Sequence, residues 1–303
     1  MGSPASSRMS SPTAKRKSGR PMSTNSIRAR LVAQSKAENA CGDRFSPSSS
    51  KHSQVKRLGM DDVFKLIEST QWKDRKIALD ELTAAIAESR KLDLGKIIKY
   101  LRTLIMTDTN VLLAAKAVQC ITALSQTENF DAHAALLLTV LLEKFKEKKP
   151  VIVDAVREAT DAIYMNTSFG QIVRYVKINL ANQNSGVKAE TELFIQRCFS
   201  KPFQCLISKA YWEPLAALLV MNLSCPETAV RENAIKALGT MMKVVGKADM
   251  EQFLEDLPHH QKVRINNACE EAVIEWNSSG MTELSATVSD LASDQGAVNR
   301  RDQ

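Results

Sequence analysis

Aromatic residues make up only 5% of the 303 residues, and glycine occurs only 11 times. Strands draw on β-branched and aromatic side chains, whereas Ala, Leu, Lys and Glu are abundant here, so the chain is expected to build helices rather than sheets. No uninterrupted apolar run reaches the roughly 18 residues of a membrane span, and none is expected. The Arg and Lys residues near the N-terminus precede no apolar stretch, which argues against a secretory signal. The six cysteines, Cys41, Cys120, Cys198, Cys205, Cys225 and Cys269, form no CxxC pair. Their spacing fits no zinc site and suits reduced, mostly buried thiols of an intracellular protein. His133, His259 and His260 lie near no nucleophile or ligand pattern, and the adjacent pair points to different sides of a helix. No P-loop, GxSxG elbow or HExxH occurs. Neither an enzyme, a cofactor nor a metal site is expected.

What the chain has in excess is positive charge, and that charge is unevenly placed. Of the 41 Lys and Arg and 34 acids, residues 1–57 hold twelve and two, leaving 29 basic against 32 acidic residues in the rest. The net charge of +7 therefore belongs to the N-terminal segment, and a slightly acidic, aromatic-poor body is no nucleic-acid-binding surface. Residues 1–57 are rich in Ser, Pro, Lys and Arg, with too few apolar residues to offset ordering entropy, so a disordered basic tail is expected. Ser3, Ser11 and Ser46 each precede proline in it. Residues 277–303 read as a second polar tail.

Between these tails, residues 58–276 carry helical periodicity broken at short intervals. The breaks fall at Gln71-Trp72, Asp108-Thr109-Asn110, Lys146 to Pro150, Asn182 to Gly186, Ser224 to Pro226, and Pro258. Pro150, Pro226 and Pro258 sit where a first helical turn tolerates proline, and Asp108 or Asn110 can cap. The pattern predicts paired helices over 60–70 and 72–89, 94–106 and 110–126, and 131–145 and 150–165. Three further pairs follow over 168–180 and 187–200, 209–223 and 227–245, and 247–257 and 259–276. Breaks recurring every 30 to 40 residues or so belong to the size class of helical-hairpin solenoids. The segments VLLAAKAVQCITAL, VDAVREATDAI and TAVRENAIKALGTM carry small residues at close helical spacing, as HEAT-type repeats do. The expected fold is all-α, a solenoid of six HEAT-type hairpins.

Several segments resemble TOG domains of the ch-TOG and mini spindles group. QWKDRKIALDEL is similar to the opening of such domains, with a Trp at the first intra-repeat turn. DTNV resembles the second-repeat turn and FKEKKPVIVDAV the third, and AVRENAIKALGTMMKVVGKADMEQFL resembles the fifth and sixth repeats. The resemblance covers about residues 60–276. It implies that the turn edge binds curved αβ-tubulin dimers, and that the protein works in the cytoplasm on microtubules, at spindle poles or centrosomes. The residues it marks are Trp72, Lys73, Asp108, Thr109, Asn110, Val111, Lys146, Lys148, Lys149, Ser185, Lys188 and Arg231. Tubulin is acidic, so exposed lysines on such loops favour encounter, and an exposed Trp is a rigid anchor. The basic tail is expected to hold the microtubule lattice, with no membrane and no specific nucleic acid as partner.

For several of these residues a structural role competes. Trp72 continues the stripe 72, 75, 79, 82, 86, which periodicity alone would bury; the resemblance brings it to the surface. Lys146 to Lys149 could be a solvated turn. Arg231 could contact tubulin or bond acidic side chains of an adjacent repeat, and Arg75 is expected to pair within the first repeats. Trp212 and Trp276 are expected in the core. A HEAT scaffold capturing a peptide in its concave face is the alternative function. Family polymerases carry two or more TOG domains, so polymerase activity of this single one does not follow.

Overall fold

The structure is a computed structural model that describes residues 58–276 apart from 91, 204, 205 and 207. The two tails, with Ser3, Ser11 and Ser46, lie outside the described residues, as do Cys41 and Cys205. Twelve helices and no strand occur among the described residues. They are α1 (Met60–Ile67), α2 (Trp72–Ala87), α3 (Leu94–Thr107), α4 (Val111–Leu124), α5 (Asp131–Lys144) and α6 (Pro150–Met165). α7 (Phe169–Leu180), α8 (Ser185–Ser200), α9 (Lys209–Asn222), α10 (Thr228–Val245), α11 (Lys247–Leu254) and α12 (His259–Glu271) complete the described set.

Local chemistry sets the helix starts. Asp93, Asn110 and Asn184 stand in extended conformation before α3, α4 and α8, and each side chain accepts a hydrogen bond from a backbone N–H of the first turn. Pro150 opens α6, where its missing N–H is no loss. Gly246 links α10 to α11 at φ 103°, a left-handed position that strains any side chain.

The hairpins stack in two layers. The odd-numbered helices from α3 to α11 pack one on the next in the outer layer, and the even-numbered helices α2 to α12 do so in the inner layer. Small residues let the inner helices approach: Ala114, Ala115 and Ala117 in α4, Ala155 and Ala159 in α6, Ala234 and Ala237 in α10 are all buried. The closest fit is at Gly239, where an added Cβ would lie 2.6 Å from the Ala268 Cβ of α12. Trp212, Phe130, Phe169, Phe194 and Phe199 fill the space between layers.

The junction of α6 with α8 is more polar. Arg157 grips Glu190 through Nε and a terminal nitrogen at 2.8 and 2.6 Å, Arg197 Nε reaches Asp161 at 2.8 Å, and the Tyr164 hydroxyl lies 3.1 Å from the Cys198 carbonyl. Ion pairs here tie the first three repeats to the last three.

The predicted helix pairs agree with the observed ones within a few residues except at the end. α12 stops at Glu271, and residues 272–276 leave the helix, with the Glu275 N–H bonded to the Ser200 carbonyl at 2.7 Å. Trp276, expected in the core, is 46% exposed. Among the described residues no further repeat follows this helix, and it buries only Ile265 and Cys269. Trp212 is buried as expected, and of the cysteines described Cys120, Cys198 and Cys269 are buried and Cys225 is half-buried.

Candidate functional site

Because every hairpin runs outer helix first, all the intra-repeat turns fall on one edge of the solenoid. The N-termini of the inner helices line that edge, so their first residues form a row across the repeats.

Trp72 is the first residue of α2 and is 48% exposed, despite continuing a buried stripe. The first turn of a helix leaves one side uncovered by its neighbours, and the indole stands there with Lys73 Nζ 5.8 Å from its ring centre. Beneath it, Arg75 fixes the turn. Its guanidinium donates to the carbonyls of Ser69 and Thr70 at 2.9 and 3.1 Å, and to both carboxylate oxygens of Asp108 in the next repeat at 2.7 and 3.2 Å. Arg75 thus pairs within the first repeats, as anticipated.

Asp108 is turned inward. Its side chain is almost wholly buried and also accepts the Asn110 N–H at 2.8 Å, so its part in the edge is to hold the second turn in shape. Thr109 is exposed at the tip, Asn110 caps α4, and Val111 is half-buried. In the third turn Lys146 pairs with Glu143, while Lys148 and Lys149 are exposed and form no ion pair among the described residues. Ser185 and Lys188 are half-buried in the first turn of α8.

Arg231 repeats the geometry of Arg75. Each is the fourth residue of its helix, and Arg231 donates to the carbonyls of Cys225 and Pro226 at 2.7 and 2.6 Å. Lys262, fourth in α12, reaches the Glu255 carbonyl at 2.6 Å in the same manner. These cations staple the turns by satisfying carbonyls that the preceding helix leaves open. Of the two roles open to Arg231, pairing with an acid of the adjacent repeat is absent among the described residues; a staple of its own turn takes its place.

Two edge residues escaped the sequence reading. Leu112, second in α4, is 66% exposed, and Val151, second in α6, is 44% exposed. Both sit in apolar runs that periodicity assigns to the core. The available signal was their place two residues after the N-cap positions Asn110 and Lys149, in the first helical turn beside the edge. Trp72, Leu112 and Val151 make the edge apolar over the first three repeats, whereas Lys188 and Arg231 make it basic over the next two.

Behind the basic half lies a polar knot. Glu192 of α8 is fully buried, and one oxygen accepts from Asn222 Nδ2 at 2.8 Å while the other has no partner. Burial pushes its carboxyl up to about 8, against the lowering effects of Asn222 and Lys188. The described residues contain no cluster of His, Cys, Asp and Glu able to hold a metal ion. No described helix is long and apolar enough to cross a membrane.

No family model matches the chain. Over 224 residues, 72% of its length, it is 34% identical to the protein mini spindles of Drosophila melanogaster, and the match spans 11% of that protein. A chain solved in work on microtubule plus-end tracking by XMAP215, CLIP-170 and EB1 superposes with a TM-score of 0.67 at 33% identity, over 71% of this chain and 91% of that one. This chain belongs to the TOG-domain family of mini spindles. A microtubule polymerase with an array of TOG domains shares the fold at 23% identity and a TM-score of 0.64, over 81% of this chain and 52% of that one. The TOG domain of this chain therefore matches only about a tenth of mini spindles, whose remaining length has no counterpart in the comparison.

Proposed function

We propose that this TOG domain binds αβ-tubulin dimers along its turn edge and thereby regulates microtubule growth. The observation that carries the reading is the exposed Trp72, aligned with Leu112 and Val151 and flanked by the free cations Lys148 and Lys149. A large rigid aromatic is the commonest interface anchor, and unpaired lysines complement an acidic partner. Thr109, Asn110, Val111, Ser185 and Lys188 add shallow contacts, while Asp108 and Arg231 act chiefly through the shape of their turns. On this reading the domain occupies residues 58–276 and acts as a binding module, without catalysis, metal, nucleic acid or membrane. Work at spindles, spindle poles or centrosomes is in keeping with kinship to mini spindles.

Residues 1–57, with a net charge of about ten positives, are proposed to hold the acidic microtubule lattice. Peptide capture in the concave face has less support. Several polar groups of the inner helices already pair between neighbouring repeats, as where Asn233 donates to the Ala189 carbonyl, Lys116 pairs with Asp80, and Arg264 pairs with Glu232.

Gel filtration with purified tubulin tests the first claim, since the full chain should co-elute with the dimer. Cosedimentation tests the second. Deleting residues 1–57 should abolish pelleting with stabilised microtubules yet preserve co-elution. A truncated chain that pellets as well as the full one would assign lattice attachment to the folded domain.

A further inference from the structure

On the outer shoulder of the turn edge, α3 and α5 enclose a groove of about 340 Å³ that the proposed edge contacts do not use. Arg102 and Met106 form one wall, Thr139 and Val140 the other, and Lys144 and Lys146 close the end nearest the third turn. Its floor is largely apolar. Met106 is 61% exposed, and Leu136, one helical turn before Val140, extends the same face of α5 and is also exposed.

The rim has a definite charge. Its two acids are already engaged, Glu143 with Lys146 and Glu147 with Lys144. Arg102 differs: its Nε is shielded from solvent and has no hydrogen-bond partner among the described residues. A buried donor left unsatisfied favours any acceptor that can reach it, and a carboxylate makes the strongest such bond. Met106 adds a flexible, polarizable side chain that adapts to varied apolar partners. Lys146 belongs both to this groove and to the turn edge, so the mouth of the groove adjoins the third turn.

We propose that the groove receives an acidic segment of the same tubulin dimer that sits on the edge. One large apolar side chain of that segment lies between Met106 and Val140, and a neighbouring carboxylate pairs with the Arg102 guanidinium, which lines the groove. This rests on the proposed tubulin binding and extends the contact surface from the row of turns onto the outer helix layer.

The test is a titration of fluorescently labelled αβ-tubulin with the full chain and three variants. Met106→Glu should weaken binding by about tenfold, as loss of an apolar anchor does. Arg102→Gln should weaken it several-fold and reduce its salt dependence. Both should melt with the wild type, because Met106 is exposed and Arg102 makes no ion pair among the described residues. A photo-crosslinking amino acid at position 106 should join the chain to tubulin. If Trp72→Glu abolishes binding but Met106→Glu and Arg102→Gln bind as wild type, the groove is overturned and the edge stands. If Trp72→Glu also binds as wild type, both readings fall. A crosslinker at position 106 that retains affinity yet captures no tubulin also overturns the groove.

Discussion

At Asp108 a carboxylate is buried against the Arg75 guanidinium, which also caps two carbonyls of the first turn. Arg75→Ala would strand that carboxylate and reopen both carbonyls. Breaking such a pair costs about 3 kcal/mol or more when fully buried, and somewhat less here because Arg75 keeps some exposure. Urea unfolding should show the loss as a lowered midpoint, only partly restored in Arg75→Lys, whose ammonium cannot bridge all four acceptors. Glu192 predicts a pH effect. Its folded carboxyl titrates at about 8, above its ordinary value of 4.5, so the folded state holds a proton that the unfolded chain releases. Its stabilising contribution is complete below the unfolded value and declines as pH rises toward 8, by at most about 1.4 kcal/mol per pH unit. Glu192→Gln keeps the bond to Asn222 without titrating. Unfolding free energies measured from pH 5 to 8.5 should fall more steeply for wild type than for the variant; equal slopes would show that Glu192 does not hold this proton.

Among elements, the helix starts were legible because their signals are local. Pro150 and the cap Asn110 act within one turn of the residue they precede. The apolar stripes were legible for the same reason, and they place Trp212 in the core. Facing was not, wherever it depends on what lies alongside. Trp72, Leu112 and Val151 obey helical periodicity yet stand exposed at a turn, and among the described residues no seventh repeat follows α12 to bury Trp276. The closeness of α10 and α12 was equally hidden, since Gly239 in KALGTM reads as a mild helix breaker rather than a contact. Gly239→Ala should favour α10 in isolation, but the added methyl would overlap Ala268. Overpacking of this kind costs about 1–3 kcal/mol. A lowered melting temperature checks it, and an unchanged or raised one would mean that the two helices can separate at no cost.

Over the whole molecule, charge and anchors are divided between regions. The positive excess lies in residues 1–57, the apolar anchors lie on the first three turns, and stapled cations shape the fifth and sixth. Lys148 and Lys149 are exposed just before Pro150, so their contribution is to encounter. Reversing both to Glu should slow association with tubulin in stopped-flow at low salt and flatten its salt dependence, with little change in dissociation. An unchanged association rate would reduce this turn to solvated charge. The central claim, that the turn edge is the tubulin-binding surface, rests most directly on Trp72. Isothermal titration of αβ-tubulin into wild type and Trp72→Glu, with melting curves of both, should show a loss of about 2 kcal/mol or more in binding at matched stability. Full binding by the stable variant would contradict the account, because the one large aromatic on the edge would then contact nothing.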